Sequence, residues 1–303
     1  MSEFGIGLDL GGTNLRAAAV DRAGNLLDTV SGKTNYSAGR EAIVGDMVDA
    51  LSTLRARCGG NLVGIGVGVP GFIQMEAGVI RNSNNLASLE NFPLRDELSK
   101  RLGAPVILEN DANAAAVGEQ WIGAGKDVKD LVLLTLGTGV GGGIISDGQL
   151  IRGTLGMAGE LGHITVVPNG NPCGCGNRGC VEKHASATAI TAMAKLLGLG
   201  DAMSAKNVYD LAMAGNEKAL TIFRSMGEAL GIALAMLINT FNFPLYLIGG
   251  GVIDGWDLFA PAMIEETQRR SFTYRASHPR IEKATLGNKA GLYGAAYLPL
   301  MKR

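Results

Sequence analysis

Short apolar runs alternate with glycine-rich and polar turns along most of the chain, and this pattern predicts alternating strands and helices. The runs FGIGLDL, LRAAAVD, LVGIGVGVP, PVILEND and LYLI are bounded by turn residues, which indicates buried strands. Apolar residues at helical spacing predict helices over 40–57 and near 186–198, 204–214, 216–241 and 257–270, with a terminal helix from about 288. Strands that alternate with helices are typical of the α/β class.

The pattern of the N-terminal segment recurs near the middle of the chain. Both FGIGLDLGGTNLRAAAVDRAG and DLVLLTLGTGVGGGIISDGQ contain an apolar run ending in Leu-Gly, a glycine turn, a second apolar run and a later Asp. We interpret this as an internal repeat, which predicts two duplicated lobes. A length of 303 residues also favours two domains.

Composition and charge narrow the class of protein. Hydrophobic residues make up 47% of the chain, which is enough for sizeable cores, and the net charge of −1 gives no reason to expect nucleic acid or an anionic membrane as a partner. The first residues lack the basic and apolar regions of a signal peptide, and no run of 18 apolar residues occurs. We therefore expect a cytoplasmic protein without membrane contact.

Three strands lead directly into glycine clusters, at 11–14, 137–142 and 249–251. The second cluster formally matches GxGxxG, but it opens a β-branched run and not a helix, which argues against a dinucleotide site. An ordinary hairpin turn is an alternative for either of the first two clusters alone, although backbone N–H groups in such turns can also hold phosphate. Asp9 ends the first strand beside its glycine turn, where a carboxylate can hold Mg²⁺ directly or through water.

The motif LENDANAAA places Asp111 where a predicted strand passes into a helix. As an isolated residue, Asp111 fits the helix N-cap, a position that Asp favours. The carboxyl end of a strand in an α/β protein is also where ligands bind, so Asp111 is equally a candidate to take a proton from a hydroxyl nucleophile.

Three of the four cysteines lie in PCGCGNRGCVE, ten or more residues after a histidine. One His and three Cys fit a closed, structural zinc site, with no open position for catalysis; the candidate ligands are His163, Cys173, Cys175 and Cys180. In a reducing compartment a metal site is favoured over a disulfide. A redox pair and a glycine turn with free thiols are the alternatives. A zinc-bound loop would also fix the nearby Glu160 and Glu182.

Together, the motifs LDLGGTNLRAA, LENDANAAAVGE, LTLGTGVGGGII, GELGH and CGCGNRGCVE resemble the ROK family of repressors and sugar kinases, and within it the bacterial glucokinases. The resemblance covers essentially the whole chain. It implies a two-lobed, actin-like (sugar kinase/Hsp70/actin) ATPase fold with duplicated lobes, a small lobe of residues 1–117 plus 289–303, and a large lobe of residues 118–288 that carries the zinc loop.

The resemblance also implies roles for individual residues. Asp111 would be the general base on the 6-hydroxyl of a sugar held between the lobes, and His163 would serve zinc and sugar with one ring nitrogen each. The implied sugar-binding residues are Gly71, Asn85, Asn110, Asp111, Glu160, His163 and Glu182, with Asn82 and Asn84 as neighbouring alternatives to Asn85. The implied nucleotide-binding residues are Asp9, Gly11, Gly12, Thr13, Asn14, Gly137, Thr138, Gly139, Gly249, Gly250 and Gly251.

The activity that the resemblance implies is ATP-dependent, Mg²⁺-assisted phosphorylation of D-glucose by a homodimer or homotetramer. The alternatives are a kinase for N-acetylglucosamine, N-acetylmannosamine, mannose or fructose, and a sugar-responsive regulator. We do not expect a regulator, because the first phosphate loop begins at Asp9 and leaves no room ahead of it for a helix-turn-helix domain.

Overall fold

The computed structural model describes residues 3–11, 14–34, 36–83 and 86–301. The chain folds into two compact units. The first consists of Met1–Lys129, Gly143–Gly159 and Asn288–Arg303, and the second of Asp130–Gly142 and Glu160–Gly287. The lobe boundaries that the resemblance implies, at 117/118 and 288/289, stay a prediction.

Twelve strands are found among the described residues. They are β1 (Glu3–Leu10), β2 (Asn14–Asp21), β3 (Leu26–Lys33), β4 (Asn61–Val69), β5 (Phe72–Gln74), β6 (Val79–Asn82), β7 (Val106–Asn110), β8 (Leu131–Leu136), β9 (Val140–Ser146), β10 (Gln149–Leu150), β11 (Leu245–Gly249) and β12 (Arg280–Lys283). They form two five-stranded sheets, in the orders β3-β2-β1-β4-β7 and β10-β9-β8-β11-β12, and a separate β5–β6 hairpin.

The two large sheets have the same strand order relative to the chain. In each sheet the first strand lies at the centre, the second and third follow on one side, and the fourth and fifth lie on the other. The fourth and fifth strands run parallel to the first in both sheets. This agreement confirms the predicted internal repeat and the α/β class, and it is the sheet duplication of the actin-like fold.

Ten α-helices are found in the same ranges. They are α1 (Arg40–Arg57), α2 (Leu94–Leu102), α3 (Asp111–Ile122), α4 (Glu182–Ala185), α5 (Ala187–Leu196), α6 (Ala205–Met213), α7 (Glu217–Phe241), α8 (Trp256–Arg270), α9 (Tyr274–Ser277) and α10 (Ala290–Tyr297). The helices predicted from apolar spacing are therefore confirmed to within a few residues. The β5–β6 hairpin, β10 and the short helices α4 and α9 were not predicted, because two to four residues are too few to establish a period.

Helix α10 returns to the first unit and packs closely on its sheet. A Cβ added to Gly66 of β4 would lie only 1.9 Å from the carbonyl oxygen of Ala295, so a side chain at this position would force the helix away. Trp121 of α3 stacks on Tyr297 of α10, with ring centroids 4.2 Å apart. These contacts fix the second half of α10 against β4 and α3.

The core of the second unit is built around α7, which packs against α8. Among the described residues, α7 is the one helix long and apolar enough to cross a membrane by length and composition, with a mean hydropathy of 1.5 in its most apolar window. That window is 67% buried within the protein, as expected of a central core helix.

Candidate active site

Two predicted carboxylates lie at the carboxyl edge of the first sheet. Asp9 is at the end of β1 and Asp111 follows β7, and β4 separates these two parallel strands. Gly291 in the first turn of α10 lies between them. A Cβ placed on it would be 3.6 Å from the carbonyl oxygen of Asp111 and 4.0 Å from Oδ1 of Asp9. The fold thus brings the candidate metal-binding carboxylate and the candidate base to one edge of one unit.

The junction between β7 and α3 is held by Asn110. Its Oδ1 caps the helix by accepting bonds from the N–H groups of Ala112 at 2.9 Å and Asn113 at 3.2 Å. Its Nδ2 donates to the carbonyl oxygen of Gly71 at 3.3 Å, which brings together two predicted sugar-binding residues. The N-cap is therefore Asn110, whereas Asp111 is the first helical residue and its side chain is exposed.

A partly buried ion pair lies behind this junction. Glu109 is 2% exposed, and its Oε2 accepts a bond from Nε of Arg152 at 2.7 Å. Its Oε1 accepts bonds from Nδ2 of Asn113 at 3.0 Å and from the N–H of Asn110 at 3.1 Å. A buried carboxylate needs such partners because an unpaired charge is costly to desolvate. The pair therefore fixes the backbone that presents Asp111.

The first glycine turn joins β1 to β2, and the Gly11 N–H donates to the carbonyl oxygen of Asn14 at 2.9 Å. Asp9 and Arg16 are paired across the two strands, and Nη2 of Arg16 lies 2.7 Å from Oδ2 of Asp9. This contact leaves Oδ1 of Asp9 outside the ion pair. The predicted nucleotide-binding residues Gly12 and Thr13 lie outside the described residues.

The second and third glycine clusters lie side by side in the second unit. They follow the neighbouring parallel strands β8 and β11, with Thr135 paired to Gly249. Gly250 has a positive φ of 90°, and a Cβ on it would lie 2.4 Å from the carbonyl oxygen of Leu136, so only glycine fits this turn. The sequence motifs of both clusters are thus brought to one edge of one sheet.

The start of α5 holds the second glycine cluster in place. The N–H of Ala187 donates to the carbonyl oxygen of Gly137 at 2.8 Å, and Oγ1 of Thr188 donates to the carbonyl oxygen of Thr138 at 2.7 Å. Both bonds use loop carbonyls, so they orient the peptide units without using the N–H groups of Thr138 and Gly139. We refer to these two contacts as the α5 clamp.

The segment from 160 to 181 has almost no regular secondary structure, apart from one 3₁₀ turn and isolated bridges. It contains the predicted zinc ligands, whose ligand atoms all lie within 4.8 Å of one another. Sγ of Cys173 is 3.6 Å from Nδ1 of His163, and Sγ of Cys175 is 3.7 Å from Sγ of Cys180. With Zn–S bonds of about 2.3 Å, tetrahedral geometry requires sulfur–sulfur distances of about 3.8 Å. The donor set therefore fits a tetrahedral ion.

Two glutamates, Glu160 and Glu182, border the cluster of candidate zinc ligands. Nε2 of His163, on the opposite side of the ring from Nδ1, lies 3.9 Å from Oε2 of Glu160. Oε2 of Glu182 accepts a bond from the N–H of Val140 at 3.2 Å. Glu182 thus joins the cysteine loop to the strand that follows the second glycine cluster.

Burial alters two pKa values around the cluster. It raises the pKa of Glu160, an effect that the charge of Glu182 increases and that of His163 opposes. Burial, followed by the neighbouring Cys175 and Cys173 thiols, raises the pKa of Cys180 to about 12. Thiolates this close together need a cation to be stable together, as the chemistry of a zinc site provides.

The structure assembles the predicted site residues into one group in each unit. The group in the first unit contains Asp9, Gly11, Asn14, Gly71, Asn110 and Asp111; the group in the second contains Gly137, Thr138, Gly139, Glu160, His163, Cys173, Cys175, Cys180, Glu182, Gly249, Gly250 and Gly251. The predicted Asn85 and its neighbour Asn84 lie outside the described residues. The roles of all these residues stay predictions.

Three residues that support these groups were not predicted: Arg16, Arg152 and Thr188. Hairpin register could have revealed Arg16, because residues equally far from the glycine turn face each other across β1 and β2. Arg152 and Thr188 reach partners 43 and 50 residues away, and no local pattern marks such contacts.

Comparisons with known proteins place this geometry among sugar kinases. The chain is 39% identical to a glucokinase of Halalkalibacterium halodurans, over 97% of this chain and 94% of the relative. A crystal structure of a ROK hexokinase from Thermus thermophilus is 35% identical, with a TM-score of 0.88, and the match covers 97% of this chain and 96% of that one.

A ROK family glucokinase from Streptomyces griseus, solved in complex with glucose and AMPPNP, is 37% identical with a TM-score of 0.81. That match covers 97% of this chain and 98% of the other. The model of the ROK family matches residues 5–302. The chain therefore belongs to the ROK family.

Proposed function

We propose that this chain is an ATP-dependent glucokinase, which transfers the γ-phosphoryl group of ATP to the 6-hydroxyl of D-glucose. One observation carries the proposal: an exposed carboxylate, Asp111, follows the carboxyl end of β7, the edge strand of the first five-stranded sheet, and its backbone is fixed by Asn110 and a partly buried ion pair. Family membership and the glucokinase relatives support the same activity.

Asp111 acts as the general base of the reaction. Its carboxylate accepts the proton of the 6-hydroxyl while the hydroxyl oxygen forms a bond to the γ-phosphorus and the bond to the ADP oxygen breaks. Phosphoryl transfer needs alignment and charge stabilisation more than covalent assistance, so a fixed carboxylate at this place is sufficient.

The polar side chains near the cysteine cluster bind the sugar. Glu160, Nε2 of His163 and Glu182 offer acceptors and a donor to the hydroxyls of a pyranose, and Asn110 and Gly71 border the base in the first unit. Asn85 is proposed on resemblance alone. A polar site of this kind rejects sugars that leave one of its buried groups unpaired.

The glycine clusters bind the nucleotide. Backbone N–H groups of the two strand-to-strand turns hold phosphates, and the third cluster borders the adenosine. ATP binds with Mg²⁺, and Asp9 is the residue that would hold the ion through Oδ1, which the Arg16 ion pair does not use. When bound, Mg²⁺ neutralises charge on the donor phosphates.

We further propose that His163, Cys173, Cys175 and Cys180 hold a structural zinc ion, a role that their mutual distances support. Four protein ligands leave no position for a substrate, so the ion would organise the loop and take no part in the reaction. A cytoplasmic location and a homodimeric or homotetrameric assembly are also part of the proposal.

A sugar panel tests the function. We expect D-glucose with ATP and Mg²⁺ to give the highest kcat/KM, with losses of roughly tenfold to a hundredfold for mannose, galactose and 2-deoxyglucose, because each leaves one buried polar group unpaired. Coupled detection of ADP measures all sugars in one format. A higher kcat/KM for N-acetylglucosamine, N-acetylmannosamine or fructose would reassign the chain to another hexose, and no turnover of any sugar would refute a kinase.

A further inference from the structure

The carboxylate of Glu182 lies against the second glycine cluster. Its Oε2 accepts a hydrogen bond from the N–H of Val140 at 3.2 Å. A Cβ added to Gly139 would lie 2.4 Å from the same oxygen, so a side chain at 139 would push the carboxylate away from the turn. Glycine at this position therefore leaves room for Glu182, and all three residues belong to the second unit.

The other carboxylate oxygen lies near the cysteine loop. Oε1 of Glu182 is 3.5 Å from Nζ of Lys183 and 4.0 Å from Sγ of Cys173, a candidate zinc ligand. The Glu182 side chain is only 22% exposed, and it follows the ligand Cys180 by two residues. One carboxylate thus connects the cysteine loop with the second glycine cluster.

Glu182 adds a third contact to the two of the α5 clamp. The clamp holds the carbonyl oxygens of Gly137 and Thr138. Glu182 holds the N–H of Val140, on the far side of the turn. None of these three contacts uses the N–H of Thr138 or Gly139. They therefore fix the turn on both sides of those two N–H groups without occupying them, which suits a turn that holds phosphate.

A carboxylate at this place needs a physical reason. The charge of Glu182 repels a donor phosphate, so its contact with the turn requires a gain that offsets the repulsion. A hydrogen bond from a backbone N–H to a carboxylate is roughly twice as strong as one to a neutral acceptor. Lys183 also balances part of the charge. The gain is a turn that is held in one conformation before the nucleotide binds.

We propose that Glu182 is a positioning residue for the nucleotide, in addition to binding sugar: its Oε2 holds the second glycine cluster in the conformation that binds phosphate. The inference rests on the proposed function, because that function makes this turn a phosphate loop. It follows that Glu182, and the cysteine loop that carries it, support nucleotide affinity even when no sugar is bound.

Calorimetric titration with AMPPNP and Mg²⁺, in the absence of sugar, separates positioning from sugar binding. Glu182→Ala should weaken AMPPNP binding at least about tenfold, because it removes a charged acceptor from the N–H of Val140. Glu182→Gln keeps an acceptor oxygen and should bind AMPPNP within about threefold of the unmodified chain. If Glu182 binds sugar alone, the unmodified chain and both variants will bind AMPPNP equally, and the proposal is wrong.

Glu217→Ala is the matched control. Glu217 is the first residue of α7, as Glu182 is of α4, so both substitutions remove a negative charge from the N-terminus of a helix. Glu217 is exposed and borders a groove between α7 and α8, away from the glycine clusters. This variant should bind AMPPNP like the unmodified chain. Equal weakening by Glu217→Ala and Glu182→Ala would overturn the proposal.

Double variants test the contact itself. Gly139→Ala places a methyl group against Oε2 of Glu182, so it should weaken AMPPNP binding by displacing the carboxylate. Combined with Glu182→Ala it has no carboxylate to displace, so the double variant should bind no more weakly than Glu182→Ala alone. A Cβ on Gly137 meets no described atom within 4 Å beyond its chain neighbours, so the effect of Gly137→Ala should multiply with that of Glu182→Ala. Effects that multiply for Gly139→Ala as well would contradict the proposed contact.

A parallel assay of glucose phosphorylation by ATP keeps the positioning role separate from the proposed function. If the unmodified chain phosphorylates glucose and Glu182→Ala binds AMPPNP normally, the positioning role is wrong and the kinase stands. If AMPPNP binding depends on Glu182 in a chain that phosphorylates no sugar, the positioning role stands and the kinase is wrong. An unmodified chain that binds no AMPPNP would overturn both.

Discussion

The two groups of site residues are held in place by different physical means. The backbone of Asp111 is fixed mainly by regular structure: a strand end, a capped helix, and the pair of the buried Glu109 with the half-buried Arg152. Glu160 and His163 lie in a segment with almost no regular structure, where a set of thiol and imidazole groups converges. The first arrangement relies on hydrogen bonds and an ion pair within regular structure. The second relies on four side chains that would have to be joined by a metal ion.

This difference predicts how each group of site residues responds to a single substitution. At the strand–helix junction, several independent hydrogen bonds support one another, so a single change should affect chemistry or stability locally. In the cysteine loop, the ligands converge on one point, so the loss of one ligand should release the whole segment.

Asp111→Asn should have the largest effect on activity. The amide keeps the size of the side chain but cannot accept the hydroxyl proton, so kcat should fall by about 10²–10⁴, the usual contribution of a general base. Steady-state kinetics with glucose and ATP measure this loss, and nucleotide titration should show that ATP binding is kept. Asp96→Asn, an exposed change on α2, is the control. Near-normal turnover of Asp111→Asn would remove this residue from the mechanism.

Removal of zinc should have the next largest effect. Elemental analysis should find one zinc per chain, and Cys175→Ser should lose it, since structural zinc contributes on the order of 10 kcal/mol of apparent binding free energy. Because His163 belongs to the cluster and Glu160 and Glu182 border it, kcat/KM for glucose should fall at least about tenfold.

Cys58→Ser is the matched control, because Cys58 is the one cysteine outside the cluster. It should keep both the metal and the activity. Fully active enzyme that contains no metal would contradict the zinc assignment and leave the cysteine loop as a turn with free thiols.

Arg152→Met tests how the site residues of the first unit are supported, through its effect on the free energy of unfolding. It leaves the Glu109 carboxylate buried with only its amide partners, which should lower the free energy of unfolding by about 1–3 kcal/mol. Arg224→Met breaks an exposed pair with Glu228 and should cost under about 0.5 kcal/mol. Chemical denaturation of both variants measures the two losses in free energy of unfolding. Equal losses would show that the Glu109 pair stabilises the protein no more than a surface ion pair does.

Much of this arrangement could be predicted from the sequence, because it depends on local patterns. Apolar periodicity identified the strands and helices, and Asp111 was found because the end of a strand and the start of a helix are both visible around it. The repeat of the first hairpin near residue 131 predicted the duplicated sheets.

Long-range contacts could not be predicted in the same way. Arg152 reaches Glu109 from a segment without regular structure, and nothing near Arg152 indicates its partner. The sequence suggested Asp111 as a possible N-cap, whereas the N-cap is Asn110, because β7 ends at Asn110 and the exact ends of elements are poorly marked in a sequence. The cysteine motif and the histidine before it gave the candidate zinc ligands, but only the fold shows that Glu182 bonds to Val140.

The smallest predicted effect concerns the α5 clamp, in which residues of a regular helix hold an irregular loop. Thr188 lies in the regular helix α5. Its hydroxyl donates one hydrogen bond to the carbonyl oxygen of Thr138 in the second glycine cluster. Thr188→Val keeps the shape of the side chain and removes the donor. A hydrogen bond of this kind contributes about 0.5–1.5 kcal/mol, so KM for ATP should rise roughly twofold to tenfold.

The Thr188 hydroxyl bonds to the second glycine cluster, which we propose to bind the nucleotide, so the dissociation constant for glucose should stay unchanged. Thr191→Val is the control, because the Thr191 hydroxyl bonds within α5 to the carbonyl oxygen of Thr188 and does not reach the loop. If Thr188→Val weakens glucose binding as strongly as ATP binding, the clamp supports the whole second group, and regular structure contributes to positioning the cysteine loop as well. If only ATP is affected, the cross-linked loop holds the sugar ligands independently of α5.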